Sequence, residues 1–436
     1  MENRRHSLFE IEDVPQWKER LLKWASTERY GIYLDSNGND QQTGKQWECL
    51  AAGGVIKMVE CPSGNAFTQL RQFQEETKDW LFGFLCYDLK NEVERLQSSH
   101  FDGIGMPDMG FFQPETVVGI RNNQLEVFST KAIDLEFFKT FDKIVLKNNP
   151  NNIHTENVLK PRIDREKYLE IVRNIKSHIV EGDLYEMNLC QEFFAEDIQL
   201  DPISVFSRLN KIGRAPASAF LRWNDLYLMS ASPERFLQKT GSRLVSQPIK
   251  GTRRRGATPE EDQAIRAELA TNEKDRAENV MIVDLVRNDL ARHCLPGSVQ
   301  VEELFGIHTF ETVHQMISTV CGTLRPDVHP MDALRDAFPM GSMTGAPKVM
   351  AMELIEHYEQ TRRGLYSGAV GYFDPNDDFD FNVVIRSILH NQSTGYVSAQ
   401  VGGAIVYDSE PEAEYEECLV KLAAMQKALG TMNYEA

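Results

Sequence analysis

The sequence predicts an α+β fold. Runs of residues that favour β-strands occur along most of the chain, and long helical patterns are interspersed among them without strict β-α-β alternation. No internal repeat or low-complexity tract is present. The chain has 436 residues, of which 42% are hydrophobic and 26% are charged, as is ordinary for a globular protein. This length is enough to bury a large core and suggests two or three domains.

Capping patterns predict where several helices begin and end. Asp164 can cap a helix with one apolar face, and Gly182 can end that helix. The segment 258–261 is a capping box with proline at the first helical position. A further helix is predicted over about 272–290. The segment 409–412 is a second capping box, which predicts the start of the last helix.

Strands are predicted where short apolar or alternating runs lie between turn residues. These runs are 80–87, 124–129, 226–230, 243–246, 367–373, 381–388 and 396–401. The clearest break in composition is the polar, asparagine-rich stretch 147–152, which predicts a linker or an exposed loop. We therefore expect an N-terminal region of residues 1–146, a linker of residues 147–161 and a second region of residues 162–436.

Charge and cysteine content argue against several classes of function. Lysine and arginine number 47 against 65 acidic residues, so the formal net charge is −18 and nucleic-acid binding is not expected. No apolar run reaches the roughly 18 residues that span a bilayer, and the N-terminus lacks the apolar core of a signal peptide. The seven cysteines are scattered and form no CxxC pair, which argues against a disulfide framework or a thiolate zinc site. We expect a cytoplasmic protein.

Lys250 is the most informative residue of the chain. It lies in the segment PIKGT, residues 248–252, where Pro248 fixes φ and Gly251 permits a sharp turn. A lysine held on such a corner can be desolvated and become a nucleophile. The three arginines at 253–255 would favour the neutral amine and attract an anionic substrate. The alternative is a basic surface loop without a specific ligand.

Two helices carry pairs of carboxylates at helical spacing. Asp275 and Glu278 lie on the helix predicted over 272–290, and Glu414 and Glu417 lie on the last helix, with Lys421 one turn beyond. The two pairs could converge on one hard cation. Mg²⁺ takes few carboxylates and keeps several waters, which leaves room for a substrate carboxylate. The alternative is that both pairs are solvated helix faces.

Four other features can each be interpreted in two ways. Arg386 follows an apolar run and needs a carboxylate partner, which is more often internal than a ligand. The segment 341–348 lacks the ending of a Walker loop, although its glycines suit a backbone cradle for an anion or hydroxyl. The segment 400–404 offers backbone N–H groups or forms a tight packing corner. His314 alone would belong to the core or to a polar network.

Taken together, these segments resemble the chorismate-utilising enzyme family. The family includes anthranilate synthase component I, aminodeoxychorismate synthase component I, and the isochorismate and salicylate synthases. The matching segments are 232–236 (SPERF), 248–252 (PIKGT), 274–279 (KDRAEN), 281–290 (MIVDLVRNDL), 341–348 (GSMTGAPK), 366–372 (YSGAVGY) and 408–421. They run in order from about residue 160 to the C-terminus, whereas residues 1–146 match weakly, chiefly through 83–95. The resemblance implies an α/β/β/α sandwich of two packed sheets flanked by helices.

The resemblance also implies a subgroup and a metal site. PIKGT resembles the aminodeoxychorismate synthases, because anthranilate synthases carry alanine where Lys250 stands. By resemblance, Glu278 and Glu417 ligate Mg²⁺, and Asp275 and Glu414 act through bound water. The metal would hold the ring carboxylate of chorismate.

The family's substrate-contacting positions fall on Arg386, Tyr366, Thr344, His314, Gly402, Gly403, Ala404 and Lys421. Arg386 and Tyr366 resemble the pair that holds the enolpyruvyl carboxylate, and Thr344 and His314 match ring-contacting positions. Ala404 stands where relatives often have glycine, so its methyl group narrows the approach to its N–H. Lys421 would help to neutralise the ring carboxylate.

The implied chemistry is amination of chorismate at C4. Lys250 would attack C2 while Glu234, as general acid, protonates the departing C4 hydroxyl. Ammonia would then add at C4 and expel the lysine, giving 4-amino-4-deoxychorismate, a precursor of p-aminobenzoate and folate. No glutaminase motif is visible, so the resemblance implies a separate glutamine amidotransferase subunit, and the N-terminal region could make partner or regulatory contacts.

Two other functions remain as alternatives. The first is anthranilate synthase component I, in which ammonia attacks C2 directly, and Lys250 disfavours it. The second is a non-catalytic subunit that binds chorismate or tryptophan for regulation. The presence of Lys250, Glu234 and all four metal-site acids argues against that reading.

Overall fold

The computed structural model describes residues 4–146 and 159–430. Its strands are β1 Arg5–Glu10, β2 Tyr30–Asp35, β3 Cys49–Gly53, β4 Lys57–Cys61, β5 Leu81–Leu85, β6 Met109–Gln113, β7 Thr116–Arg121, β8 Gln124–Ser129, β9 Lys160–Pro161, β10 Glu186–Ala195, β11 Ala217–Trp223, β12 Leu226–Ser232, β13 Arg235–Thr240, β14 Arg243–Gln247, β15 Ile249–Arg254, β16 Gln300–Thr309, β17 Val313–Thr323, β18 Gly345–Ala346, β19 Ala369–Phe373, β20 Phe379–Val383, β21 Ser387–Asn391 and β22 Tyr396–Ile405. Its helices are α1 Val14–Thr27, α2 Asp40–Thr43, α3 Ala66–Thr77, α4 Lys90–Val93, α5 Leu135–Lys139, α6 Arg165–Glu181, α7 Pro202–Gly213, α8 Pro259–Thr271, α9 Glu273–Ala291, α10 Pro330–Ala337, α11 Lys348–Tyr358 and α12 Pro411–Leu429.

The strands form two antiparallel sheets. The order in the first sheet is β1-β8-β7-β3-β2-β11-β12-β21-β22-β10-β18, with β9 paired to β10. The order in the second is β15-β17-β14-β13-β20-β19-β5-β6-β4, with β16 paired to β17. Strands from both sides of the segment 147–158 contribute to each sheet, since β2 pairs with β11 and β5 pairs with β19. The predicted linker 147–161 lies outside the described residues except for its last three positions.

Three apolar cores separate four layers. Phe84 of the second sheet and Trp223 of the first meet in the core between the sheets. The outer face of the first sheet packs against α1, α6, α7 and α12, for example through Met425, and the outer face of the second packs against α3, α9 and α10, for example through Leu334. Full burial of each such side chain contributes roughly 1.5–3 kcal/mol. The predicted α+β sandwich of two packed sheets flanked by helices is therefore confirmed.

The predicted helix ends are correct except at the last helix. Asp164 accepts a hydrogen bond from the Lys167 N–H and Gly182 ends α6 with φ +89°. The predictions for α8 and α9 are also confirmed. The last helix begins two residues later than predicted, at Pro411, because the Ser409 hydroxyl accepts from the Val406 N–H in the preceding turn instead of capping the helix. Proline suits the first helical turn because it has no N–H to satisfy.

The run 381–388 was predicted as one strand and is two. Strand β20 ends at Val383 in the second sheet and β21 begins at Ser387 in the first, so the chain crosses between the sheets here. Arg386 lies in this crossing with φ +51°. The prediction is wrong because both strands are buried and apolar, and no glycine or proline marks the break.

The predicted sharp corner at Lys250 is an irregular strand. Lys250 lies in β15, whose pairing with β17 shifts register between Ile249 and Thr252. Gly251 at this shift has φ +82°, a conformation that favours glycine. No helix in the described residues is long and apolar enough to span a bilayer.

Candidate active site

Lys250 points from β15 toward the start of β10. Its Nζ donates a hydrogen bond to Glu186 Oε1 at 2.6 Å and lies 4.0 Å from Glu278 Oε2 on α9. The lysine side chain is only 11% exposed. Burial disfavours the ammonium form, but the carboxylates of Glu186 and Glu278 outweigh burial and raise the pKa of Lys250. The lysine is therefore protonated in the free protein.

The three arginines after Lys250 do not activate it as predicted. Each pairs with acids of α8 or α9: Arg253 with Glu268 and Asp275, Arg254 with Glu261, and Arg255 with Asp262. These ion pairs neutralise the arginines and hold α8 and α9 against the end of β15. The expectation that their field keeps the Lys250 amine neutral is wrong, since the carboxylates around Lys250 dominate.

Glu234 is a buried carboxyl group between β12 and β13. Its Oε1 accepts a hydrogen bond from the Ser342 hydroxyl at 2.6 Å. Burial raises the pKa of Glu234 to about 7, against the opposing effects of Ser342 and Lys250. A substantial fraction of Glu234 therefore carries a proton near neutral pH, as a general acid requires.

Three of the four predicted metal-site acids lie around one lysine. Lys274 Nζ on α9 is 3.9 Å from Glu278 Oε1 and 3.5 Å from Glu414 Oε1 on α12. A Cβ placed on Gly403 would lie 3.4 Å from Glu414 Oε2 and 3.5 Å from Glu417 Oε1, so both carboxylates approach the same point of β22. Two of them, Glu278 and Glu414, are buried. Carboxylate oxygens of this kind are the ligands that a hard metal ion such as Mg²⁺ prefers.

The fourth acid, Asp275, faces elsewhere. Its Oδ2 accepts a hydrogen bond from Arg253 Nη2 at 2.8 Å. Among the described residues, His178, Glu181 and Asp183 form a group whose possible ligand atoms all lie within 4.8 Å of one another. The predicted acids lie near one another, but as a group their oxygens are farther apart than this.

Arg386 has no carboxylate partner among residues 4–146 and 159–430. Its half-buried guanidinium makes no hydrogen bond or ion pair with residues in the described parts of the chain. Burial lowers the pKa of Arg386, and Tyr366 and Glu417 oppose that effect. The buried Tyr366 hydroxyl lies 3.7 Å from Cys190 Sγ. A half-buried cation without a partner is unfavourable, and the interpretation that Arg386 pairs with an internal carboxylate has no support among the described residues.

Thr344 and His314 are both buried and already have protein partners. The Thr344 hydroxyl donates to the Met340 carbonyl at 3.1 Å. His314 Nε2 lies 2.9 Å from Asp262 Oδ1, and Nδ1 lies 2.9 Å from Thr309 Oγ1. These contacts match the polar-network interpretation of His314, and its hydrogen-bond partners, Asp262 and Thr309, are neither Lys250 nor Glu234.

The segment 402–404 lies within β22. On one edge it pairs with β10, whereas β21 pairs only with residues 396–398, so the other edge has no strand partner at 402–404 among the described residues. Lys421 Nζ donates to the Gly402 carbonyl at 2.6 Å and lies 2.6 Å from Glu417 Oε1. A Cβ at Gly402 would lie 2.4 Å from the Leu189 carbonyl oxygen, so only glycine fits there.

Sequence reasoning missed Glu186 and a buried ion pair behind the site. Arg363 pairs with Glu359 at 2.6 Å and donates to the carbonyls of Met343 and Asn188, at 2.6 and 2.8 Å. This pair fixes the loop 341–348 to β10. The i, i+4 spacing of this pair is also common on exposed helix faces, so the sequence does not show that the pair is buried. Glu186 could not be predicted because its partner, Lys250, is distant in sequence.

Relatives of known sequence match most of the chain. Residues 28–427 match the chorismate binding enzyme family. The chain is 38% identical over 342 residues to aminodeoxychorismate synthase component 1 of Salmonella typhimurium, covering 78% of this chain and 74% of that protein. It is 36% identical over 387 residues to a probable chloroplastic aminodeoxychorismate synthase of Oryza sativa subsp. japonica, covering 80% of this chain and 43% of that protein. The chain thus spans less than half the length of the plant relative.

A solved structure has the same architecture. The crystal structure of anthranilate synthase component I from Streptococcus pneumoniae TIGR4 matches with a TM-score of 0.74 and 27% identity, covering 86% of this chain and 91% of that one. Together with the family match over 28–427, this likeness shows the family. The chain belongs to the family of chorismate binding enzymes.

Proposed function

We propose that this protein is the chorismate-binding component of an aminodeoxychorismate synthase, which converts chorismate and ammonia to 4-amino-4-deoxychorismate. The observation that carries the proposal is that an enclosed lysine, Lys250, lies in the same site as a buried carboxyl group, Glu234, whose pKa is raised to about 7. A nucleophile and a proton donor in one site are what displacement of the C4 hydroxyl needs. The names of the relatives agree with this reaction.

The reaction would proceed as two displacements, first of the C4 hydroxyl by Lys250 and then of Lys250 by ammonia. Lys250 first gives its ammonium proton to solvent. Its amine then attacks C2 of chorismate and becomes a secondary ammonium, while Glu234 gives its proton to the C4 hydroxyl, which leaves as water. Ammonia then adds at C4 and the bond between C2 and Lys250 breaks. Arg386 holds a substrate carboxylate throughout. Glu278 and Glu417 would hold Mg²⁺, with Glu414 acting through bound water, and Mg²⁺ when bound supplies positive charge for the other carboxylate.

Product analysis tests the proposal. The protein is incubated with chorismate, Mg²⁺ and an ammonium salt, and the product is identified by mass and by comparison with standards. We expect 4-amino-4-deoxychorismate. Anthranilate as the product would show direct amination at C2, and unchanged chorismate would favour a non-catalytic binding subunit.

The ammonia source gives a further expectation. The single chain should work with ammonium salts, best at a pH where free ammonia is abundant, and should not use glutamine. A glutamine amidotransferase subunit added to the chain should confer glutamine-dependent turnover. Glutamine-dependent activity of the purified chain alone would contradict the proposed division of labour.

Arg386→Ala separates a ligand contact from a structural one. Loss of a charged hydrogen-bond pair costs about 1.5–3 kcal/mol, so the KM for chorismate should rise roughly ten- to hundredfold. The melting temperature should not fall, because Arg386 has no partner in the described structure to lose. Measuring KM and melting temperature on one preparation checks both. A lower melting temperature with an unchanged KM would show that Arg386 stabilises the fold and does not bind chorismate.

A further inference from the structure

Glu186 is a fully buried carboxylate with one oxygen unused. Its Oε1 accepts the hydrogen bond from Lys250, whereas Oε2 is buried and meets no hydrogen-bond donor among the described residues. Backbone pairing of β10 with β18 and β22 holds Glu186 in place. A buried carboxylate oxygen without a donor is unfavourable, so this oxygen indicates a ligand that brings its own N–H or O–H group.

The charges around Glu186 restrict what that ligand can be. Glu278 and Glu234 lie near the same lysine, so an anion would be repelled, and the carboxylates of chorismate are poor candidates. Oε2 is enclosed, so the donor must be small. When the Lys250 nitrogen bonds to C2 it becomes a secondary ammonium with two N–H groups in place of three, so Glu186 loses a hydrogen-bond donor. A compact cation with several N–H donors can replace it.

We propose that Glu186 binds the ammonium ion that supplies the amino group, beside Lys250. This inference rests on the proposed function. Ammonium gives one proton to Glu186 Oε2, and the lone pair of the resulting ammonia forms the bond to C4. The bond between C2 and the Lys250 nitrogen breaks with its electrons staying on that nitrogen, which leaves as a neutral amine and then takes the proton from Glu186. Ammonium and the secondary-ammonium adduct thus become the protonated 4-amino product and the Lys250 ammonium, with protons and charge conserved.

The Glu186→Gln variant tests the ammonium site. Glutamine keeps the shape and an acceptor for Lys250 but removes the charge. The KM for ammonium at fixed pH should rise about tenfold or more, as expected for a lost charge-assisted hydrogen bond. The KM for chorismate should be unchanged, and the covalent adduct should still form without ammonia. Glu186→Asp, which keeps the charge, serves as the second variant if Glu186→Gln does not fold.

Glu192→Gln is the matched control. Glu192 is also buried on β10, but it pairs with Arg162 and accepts a hydrogen bond from Tyr396, both at 3.0 Å. Its replacement should leave the KM for ammonium unchanged even if the melting temperature falls.

The outcomes separate the two proposals. An unchanged KM for ammonium in Glu186→Gln overturns the ammonium site. Loss of adduct formation in that variant also overturns it, because Glu186 would then act only on Lys250. Failure of the wild-type protein to aminate C4 at any ammonium concentration instead refutes the proposed function itself.

Discussion

Chorismate supplied without ammonia should load the protein covalently at Lys250. Departure of the C4 hydroxyl makes this adduct lighter by one water than protein plus chorismate. Lys250→Ala should not form it and should lose most C4 amination, while it keeps chorismate binding because Arg386 remains. Rapid-quench intact-mass analysis measures the adduct directly.

Glu234 provides the control for this experiment. Glu234→Gln keeps the hydrogen bond with Ser342 but has no proton to give, so adduct formation should slow by roughly 10²–10⁴-fold. If the wild-type protein shows no adduct and Lys250→Ala aminates C4 at the normal rate, Lys250 is not a nucleophile.

Replacement of Glu278 or Glu417, the proposed metal ligands, should abolish turnover without unfolding the protein. We expect Glu278→Ala and Glu417→Ala to remove Mg²⁺-dependent activity. Asp275→Ala should be milder, because its carboxylate faces Arg253, and Glu414→Ala should be milder, because in the proposed site it acts through bound water. Activity measured across a Mg²⁺ titration checks the order. Equal and negligible effects of all four changes would refute the metal site.

Replacement of Glu278 should stabilise the fold at alkaline pH, although it abolishes activity. Burial raises the pKa of Glu278 from 4.5 to about 7, although Lys250 opposes the shift. A carboxyl group with a raised folded-state pKa stabilises the fold while protonated, and this contribution is lost as pH rises through about 7. Ionisation at pH 8 therefore costs on the order of 3 kcal/mol. Without metal at pH 8, Glu278→Gln should melt higher than the wild-type protein, and a lower melting temperature would mean that Glu278 supports the fold.

Local sequence signals predicted the helices well and the crossing between sheets poorly. The caps at Asp164 and Thr258 act within one turn, so sequence shows both partners of each hydrogen bond. The break between β20 and β21 depends on which sheet each strand joins, and an apolar run contains no information on that choice. The position of this break is therefore set by strand pairing in the tertiary structure and cannot be predicted from the local sequence pattern.

The same limit applies within the candidate site. Spacing on one helix predicted that Glu278 belongs with other acids, and α12 does bring Glu414 near it. The environment of Lys250 could not be predicted, because its nearest charge comes from Glu186 on another strand, while the neighbouring arginines are turned toward α8 and α9. Adjacent residues in a strand point to opposite faces, so residues that are neighbours in sequence need not have the same electrostatic environment.

The backbone of Arg386 has a consequence for engineering this protein. Its φ of +51° is one that residues with a Cβ adopt at a cost of about 1–3 kcal/mol. Glycine would relieve that strain, so a screen that rewards heat resistance alone would favour Arg386→Gly and discard the guanidinium. With Arg386 in its proposed role, the most heat-resistant variants from such a screen would be the ones that no longer recognise chorismate, so thermostabilisation would have to hold position 386 constant.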